Sequence, residues 1–464
     1  MPAPILARTR AVIAPAATLA ALVVLSSCGG TSGAPASTTS QSTSRSSAPG
    51  ALVPALDTPA RAQLQWVLGE LNAGSTPTDA LLAEHFSSAF LGQVPPAALV
   101  AALTPLAGQG LGIAGAFAGQ SAVALEAELT GRDGTTYRAT ISVSAAAPHL
   151  IDGLLFTPIA AAITTWSGVD AALERLAPHA SIYAGHAGGG ELHAYNGEEP
   201  GAIGSAFKLY VLGALADAVA RGSVKWTTPL AIRERWKSLP GGDMRLAPAG
   251  RRFSLLHYAQ QMISLSDNTA ADHLIGTLGR AAVTAQLAAL GNRHATLDEP
   301  FLTTREFFAL KLAAPASLAD AFAAAGTAAR TRLLARVDRL TATLAQAAKW
   351  TAPRFINTIE WFASPADLAR AISLLVAQSR RPGLAPVRQI LAINPGIAFD
   401  HATWPYVAYK GGSEPGVIST TWYLRRSDGK AFVLSIVLND PKGEISTLAE
   451  VSVAQAAVKL LAKA

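Results

Sequence analysis

The stretch Ser205-Ala206-Phe207-Lys208-Leu209-Tyr210-Val211-Leu212-Gly213-Ala214-Leu215 decides how the rest of the chain is read. From Phe207 to Val219 it is apolar nearly all round, which predicts a helix buried at the centre of a domain. Lys208 lies inside that run, where a lysine has no comfortable route to water. On a helix, Ser205 and Lys208 share one face and come within reach of each other. A serine hydroxyl is a poor nucleophile at neutral pH and needs a nearby base. Partial burial lowers an amine's pKa toward the range where it accepts that proton. Free N–H groups at the helix N-terminus also favour developing negative charge. The same spacing recurs at Ser427-Asp428-Gly429-Lys430, but there Asp-Gly separates two alternating runs and reads as a hairpin turn.

Two further stretches follow in order. Ser266-Asp267-Asn268 comes 61 residues after Ser205, inside Met262-Ile263-Ser264-Leu265-Ser266-Asp267-Asn268-Thr269-Ala270-Ala271-Asp272, and also reads as a helix N-cap. Lys410-Gly411-Gly412 comes 144 residues after Ser266, at the end of a β run. Lys442-Gly443 is a decoy: Glu444 follows it and it opens the last helix.

The bulk numbers are those of a folded, exported protein. Of 464 residues half are hydrophobic and 15% are charged, so real cores form and broad disorder is excluded. The net charge is +6, yet no dense Lys/Arg patch with interleaved aromatics occurs, so nucleic acid is not an expected partner. The nine histidines show no His-Glu-x-x-His spacing, and no metal or other cofactor is implied. Gly185 to Gly190 reads as a hairpin turn rather than a phosphate loop. Residues 1–28 read as a signal segment: Arg8 and Arg10 precede an apolar run from Ala11 to Leu25, too short to span a bilayer. Cys28 is the only cysteine, so no intrachain disulfide is possible. Residues 29–52 are rich in Ser, Thr, Gly, Ala and Pro and read as a flexible tether.

Residues 53–160 read as a small α+β domain. Apolar residues at helical spacing run over Arg61–Leu71 and Thr78–Phe90, followed by strands at Val123–Leu129, Tyr137–Val143 and His149–Phe156. His85 and His149 are read as surface or packing histidines. Residues 161–464 read as a second domain with a short helix at Val169–Leu176 and two strands over Ser181–Tyr195. Mostly helical sequence then runs to Leu375, with strands at Val407–Tyr409, Ile418–Arg425 and Ala431–Leu438 and a final helix at Ile445–Leu461.

Taken in order, Ser205–Lys208, Ser266–Asn268 and Lys410–Gly412 resemble the S-x-x-K, S-D-N and K-T-G boxes of class A β-lactamases and penicillin-binding proteins. Ser364-Pro365-Ala366-Asp367-Leu368-Ala369 resembles a helix start of that family, and the excess length before Lys410 falls on an Ala-rich helical insertion at about 312–349. The resemblance implies an antiparallel sheet with an all-helical region, so the fold class expected is α+β and α/β. The first domain is similar to the small cone-shaped, isomerase-like domain of some actinobacterial β-lactamase-like lipoproteins.

What the resemblance implies for the site is specific. Ser205 would be acylated, with Lys208 its base or proton relay. Ser266 would pass a proton to the leaving group, Asp267 would brace the loop, and Asn268 would hold the substrate carbonyl and Lys208. Lys410 would hold Ser266 and attract a substrate carboxylate, and the Ser205 and Ser413 N–H groups would form the oxyanion hole. Gly411 stands where the family has a hydroxyl residue, and Gly412 keeps the family glycine. Glu299-Pro300-Phe301-Leu302-Thr303 resembles the family's E-P-x-L-N loop, whose glutamate activates water. Leu25-Ser26-Ser27-Cys28-Gly29 looks like a bacterial lipobox, implying lipidation at Cys28 and an anchor on the extracytoplasmic face of the cell membrane. The expected function is an exported serine hydrolase acting on a small-molecule or peptidoglycan-like substrate. A D,D-carboxypeptidase-type penicillin-binding protein and a non-catalytic binding lipoprotein are the alternatives.

Overall fold

Strands made of near-continuous apolar runs need cover on both faces, and the long sheet of this protein has it. The computed structural model describes residues 52–117, 120–132, 134–159, 163–239, 242–397 and 399–464. They fall into two compact units, 52–159 and 163–464. Cys28 and the tether before residue 52 lie outside the described residues.

In the first unit, β1 (Leu52–Val53), β2 (Gly112–Phe117), β3 (Ala124–Thr130), β4 (Thr136–Val143) and β5 (Ile151–Ile159) form one antiparallel sheet in that order. Alternation decides its buried face: Leu125, Ala127 and Leu129 on β3 and Tyr137, Ala139, Ile141 and Val143 on β4. The helix Pro59–Ala73 buries Leu64, Val67, Leu68 and Leu71; Thr58 caps it and Gly74 ends it at φ 67°. The helix expected over Thr78–Phe90 is broken in two. Phe86 is extended and bridges Ile151, and Ser87 then caps a second helix, Ser88–Gln93. His85 stacks on Trp66 at 3.6 Å and bonds Gln63 at 2.9 Å, which makes it a packing residue.

The second unit carries β6 (His179–His186), β7 (Glu191–Tyr195), the short pairs β8 (Gly201–Ala202) with β11 (Phe362–Ala363) and β9 (Pro229–Ala231) with β10 (Arg252–Ser254), and then β12 (Tyr406–Glu414), β13 (Val417–Arg425) and β14 (Ala431–Asn439). The main sheet is antiparallel in the order β12-β13-β14-β6-β7. On β14, Phe432, Leu434, Ile436 and Leu438 face one core, shared with Val169 and Leu173 of the helix Trp166–Leu176 and Val453, Ala457 and Leu461 of the helix Thr447–Leu461. Val433 and Val437 face the other core, with Leu209 and Leu212 of the helix Lys208–Ala220 and Leu368 and Ile372 of the helix Pro365–Gln378. Chain from both ends of this unit therefore builds one sheet, with the helical region inserted between. The fold class is α+β as expected. β12 runs further than its apolar sequence, through Lys410-Gly411-Gly412 to Glu414. Ser427 to Lys430 closes the β13–β14 hairpin, with Gly429 at φ 89°.

Residues 312–349 are not an appendage. Their helices Ala316–Ala324 and Thr327–Val337 bury Leu318, Phe322, Leu334 and Val337 in the same core as Phe207. The π-helical turn Ala309–Ala313 just before them buries Lys311 completely. Its amine pairs with Glu360 at 3.3 Å and with Glu414, and it lies 4.4 Å from the Phe307 ring centre. Removing one partner of such a cluster leaves an uncompensated buried charge. Lys311→Met is accordingly expected to lower unfolding free energy by about 3–5 kcal/mol in urea titrations, whereas the same change at exposed Lys463 leaves the midpoint where it is.

Candidate active site

Ser205 is placed by its lead-in. β8 pairs with β11, the Ile203 N–H donates to the Trp361 carbonyl at 2.9 Å, and Asn439 at the end of β14 makes both an accepting (2.8 Å) and a donating (2.9 Å) bond to Ala202. A single 3₁₀ turn, Gly204–Phe207, then runs into the helix Lys208–Ala220. Ser205 and Lys208 are thus on one continuous helical segment.

The Lys208 amine is fully buried and touches four oxygens: Ser205 Oγ at 2.9 Å, the Ser266 carbonyl at 2.7 Å, Ser266 Oγ at 3.1 Å and Asn268 Oδ1 at 2.6 Å. Even an ammonium has only three N–H groups. The two shortest contacts are to oxygens that only accept. A neutral amine serves both and keeps its lone pair for a hydroxyl proton. Burial brings the Lys208 pKa down to about 7, against the opposing pull of Asp267 and Asp272. Asn268 is held in turn by its Nδ2, which donates to the Leu239 carbonyl at 2.9 Å.

Ser266 sits between the helices Leu255–Ser264 and Asn268–Leu278 at φ 55°, a left-handed conformation uncommon for serine. Asp267 fixes that turn by accepting from Ala270 N at 2.7 Å and Met244 N at 2.9 Å. Ser266 Oγ lies 3.1 Å from the Lys208 amine and 3.1 Å from the Lys410 amine. With the two N–H groups of a neutral Lys208 committed to the carbonyl oxygens, Ser266 Oγ accepts from Lys410 and its own O–H remains to donate. Burial and the neighbouring Lys208 hold Lys410 well below the usual lysine range. His273 is structural: Nε2 accepts from Arg233 N at 2.8 Å while Nδ1 donates to the Thr269 carbonyl, and burial lowers its pKa to about 4.

Two glycines let β12 close on the nucleophile. A Cβ at Gly412 would overlap the Ile203 carbonyl and the Ser205 amide nitrogen; one at Gly204, which has φ 47°, would lie 3.0 Å from Ser413 N. The Ser205 and Ser413 backbone nitrogens both border this close approach, and an oxyanion would need two such N–H donors. Ser419, paired with Gly412 across β13, donates to the Ile203 carbonyl at 2.6 Å. At Gly411 the space of a side chain is filled by the Tyr409 hydroxyl, so a hydroxyl stands beside this position although the residue has none.

Ser205, Ser266, Asn268, Lys410, Gly411, Gly412 and Ser413 all line one cleft of about 310 Å³, and Lys208 lies directly behind it. Aromatic residues line it as well: Phe207, Phe307, Phe308, Trp350 and Trp361, with Trp361 stacked on Phe207 at 4.0 Å and on Phe307 at 4.8 Å. Glu299 is half-buried and is not among the residues lining the cleft; the segment after it leads into the helix Thr304–Phe308, capped by Thr303 and Glu306. Sequence reasoning missed Tyr409, Glu414, Thr304 and the aromatic residues. Alternation along β12 from Lys410 was the available signal for Glu414; the aromatic residues come from four separate segments and gave none.

Residues 166–463 match the model of the Beta-lactamase enzyme family, and residues 55–147 match that of the ORF 12 gene product N-terminal. Among solved structures, a β-lactamase from Sphaerobacter thermophilus DSM 20745 is 20% identical over 65% of this chain and 98% of its own, with a TM-score of 0.47. PBP-A is 18% identical over 63% and 96%, at 0.41. A β-lactamase from Francisella tularensis is 14% identical over 64% and 99%, at 0.45. A comparison with curated proteins returned no match.

Because a Cβ at residue 412 meets backbone rather than a movable side chain, Gly412→Ala is expected to push β12 off the Ser205 turn. Labelling of Ser205 by a fluorophosphonate should slow by about 100-fold or more, the cost of losing an oxyanion donor, while circular dichroism shows the fold retained.

Proposed function

The chain belongs to the Beta-lactamase enzyme family, and on that premise we propose that it is an exported, lipid-anchored serine hydrolase forming an acyl-enzyme at Ser205 on a β-lactam, amide or ester. The observation that carries this reading is the buried Lys208 amine, 2.9 Å from Ser205 Oγ and drawn down to a pKa of about 7. In the neutral state it takes the Ser205 proton as Oγ attacks the substrate carbonyl. The oxyanion faces the Ser205 and Ser413 amides. Ser266, between Lys208 and Lys410, hands a proton to the leaving group, and the Ser266-to-lysine contacts let Lys208 give up the one it took. Lys410 and the Tyr409 hydroxyl beside Gly411 would receive a substrate carboxylate. The aromatic residues suit substrates with bulky apolar acyl groups. Anchoring at Cys28 on the extracytoplasmic face rests on the lipobox-like sequence alone.

Intact-protein mass spectrometry with a fluorophosphonate, a penicillin and an activated ester tests acylation. One adduct per chain is expected, absent from Ser205→Ala; labelling of that variant, or none of the wild type, overturns the reading. The pH profile of ester kcat/KM should rise through an apparent pKa near 7 to a plateau, because protonated Lys208 cannot accept the serine proton. Cys28→Ser should abolish lipid labelling and membrane retention in cells. Trp350→Ala should lower kcat/KM about 10-fold for a phenylacetyl ester and leave the acetyl ester unchanged, since only the larger acyl group reaches the indole.

A further inference from the structure

Lys442-Gly443-Glu444 leads into the last helix and takes no part in the acylation steps above, yet its glutamate lines the cleft. Among the described residues the charged side chains lining that cleft are Lys410, Glu414 and Glu444. The first two are turned inward. Lys410 is 3% exposed and bonds Ser266 Oγ and the Gly411 carbonyl, while the Glu414 side chain is 4% exposed and is held by Lys311. Burial draws the pKa of Lys410 well down and pushes that of Glu414 well up, which moves each toward its neutral form. Glu444 is exposed, and no ion pair within the described residues engages it. Lys442, two residues before it, is exposed and does not line the cleft. The solvent-facing charge of the cleft is therefore one carboxylate.

The sheet says where along the cleft that carboxylate belongs. Gly411 on β12 pairs with Thr420 on β13, and the Thr420 hydroxyl donates to Glu450 Oε1 at 2.6 Å. Glu450 lies in the first turn of the helix Thr447–Leu461, which Ser446 caps. This bond ties the start of the helix to the part of the sheet beside Gly411, and Ile445 and Thr447 line the cleft together with Glu444. Gly411 follows Lys410, and Lys410 holds Ser266, the residue that hands its proton to the leaving group. Glu444 belongs to that end of the cleft, whereas the aromatic residues suit an apolar acyl group. A charge at a cleft with low-dielectric sides concentrates its counter-ion there.

Resting on the hydrolase reading above, we propose that Glu444 selects substrates whose leaving portion carries an ammonium group. The carboxylate pairs with that ammonium while the scissile carbonyl is brought to Ser205. The pair is open to solvent, so its contribution is modest and is screened by salt. Glu444 does no chemistry in this scheme. It sets which ester, thioester or amide enters, and the leaving group departs with the Ser266 proton as before.

The test uses the full chain and two thioesters of one shape: phenylacetylthiocholine and the neutral S-(3,3-dimethylbutyl) analogue, in which carbon replaces the ammonium nitrogen. Release of thiol gives kcat/KM, which reports acylation whatever later clears the acyl-enzyme. At low ionic strength the cationic-to-neutral ratio of kcat/KM should be about fivefold higher in the wild type than in Glu444→Gln. It should fall further in Glu444→Lys, and added salt should draw the wild-type ratio down toward that of Glu444→Gln. General damage to the site lowers both rates and leaves the ratio unmoved. A ratio that is the same in the wild type and in Glu444→Lys overturns the assignment. Release of thiol from neither compound by the wild type would instead overturn the hydrolase reading on which it rests.

Discussion

Everything around the site depends on keeping one amine dry. Lys208 begins a helix packed into an apolar core, and burying it there is costly unless each N–H finds an oxygen. The protein supplies those oxygens from three places: the turn before the helix, the Ser266 loop and Asn268. Satisfying the lysine therefore forces the separate segments into one geometry, and that geometry is the candidate site. The same burial that makes the lysine demanding also brings its pKa down to about 7, because desolvation disfavours its charged form.

The close approach of β12 is the second constraint, and it is steric. Gly412 and Gly204 let two pieces of backbone touch where any side chain would hold them apart. The sheet behind β12 is buried on both faces, so the strand is stiff, and it delivers Lys410, Gly412 and Glu414 in fixed register along one edge of the cleft. The helices of residues 312–349 bury their apolar face in the main core. Trp350 and Ala347 then border the cleft as a consequence of that packing.

Much of this was legible from residue patterns, for reasons that differ by element. The main strands and the terminal helix were readable because long apolar or alternating runs bounded by glycine have one stable reading. The helix boundary at Phe86 was not, since the break is caused by a bridge to Ile151, distant in sequence. β2, Gly-Ile-Ala-Gly-Ala-Phe, carries too little periodicity to announce a strand. In the site, the Ser–Lys and Ser–Asp–Asn boxes were readable because local spacing creates part of their geometry. The Tyr409 hydroxyl filling the space beside Gly411 was hidden, because a strand neighbour two positions away supplies it.

The amino-acid sequence alone marked the candidate site residues: a serine three positions before a lysine in an apolar helix, a serine before a capped helix, and a lysine followed by two glycines. These are local facts, set by helix pitch, capping and the lack of a Cβ. Tertiary structure alone decided which carboxylates line the cleft and which aromatic residues join them. Sequence context offered Glu299, but only packing puts Glu414 among the residues lining the cleft and leaves Glu299 out of it. Proximity between segments over a hundred residues apart is a property of the core that joins them, and no local pattern encodes it.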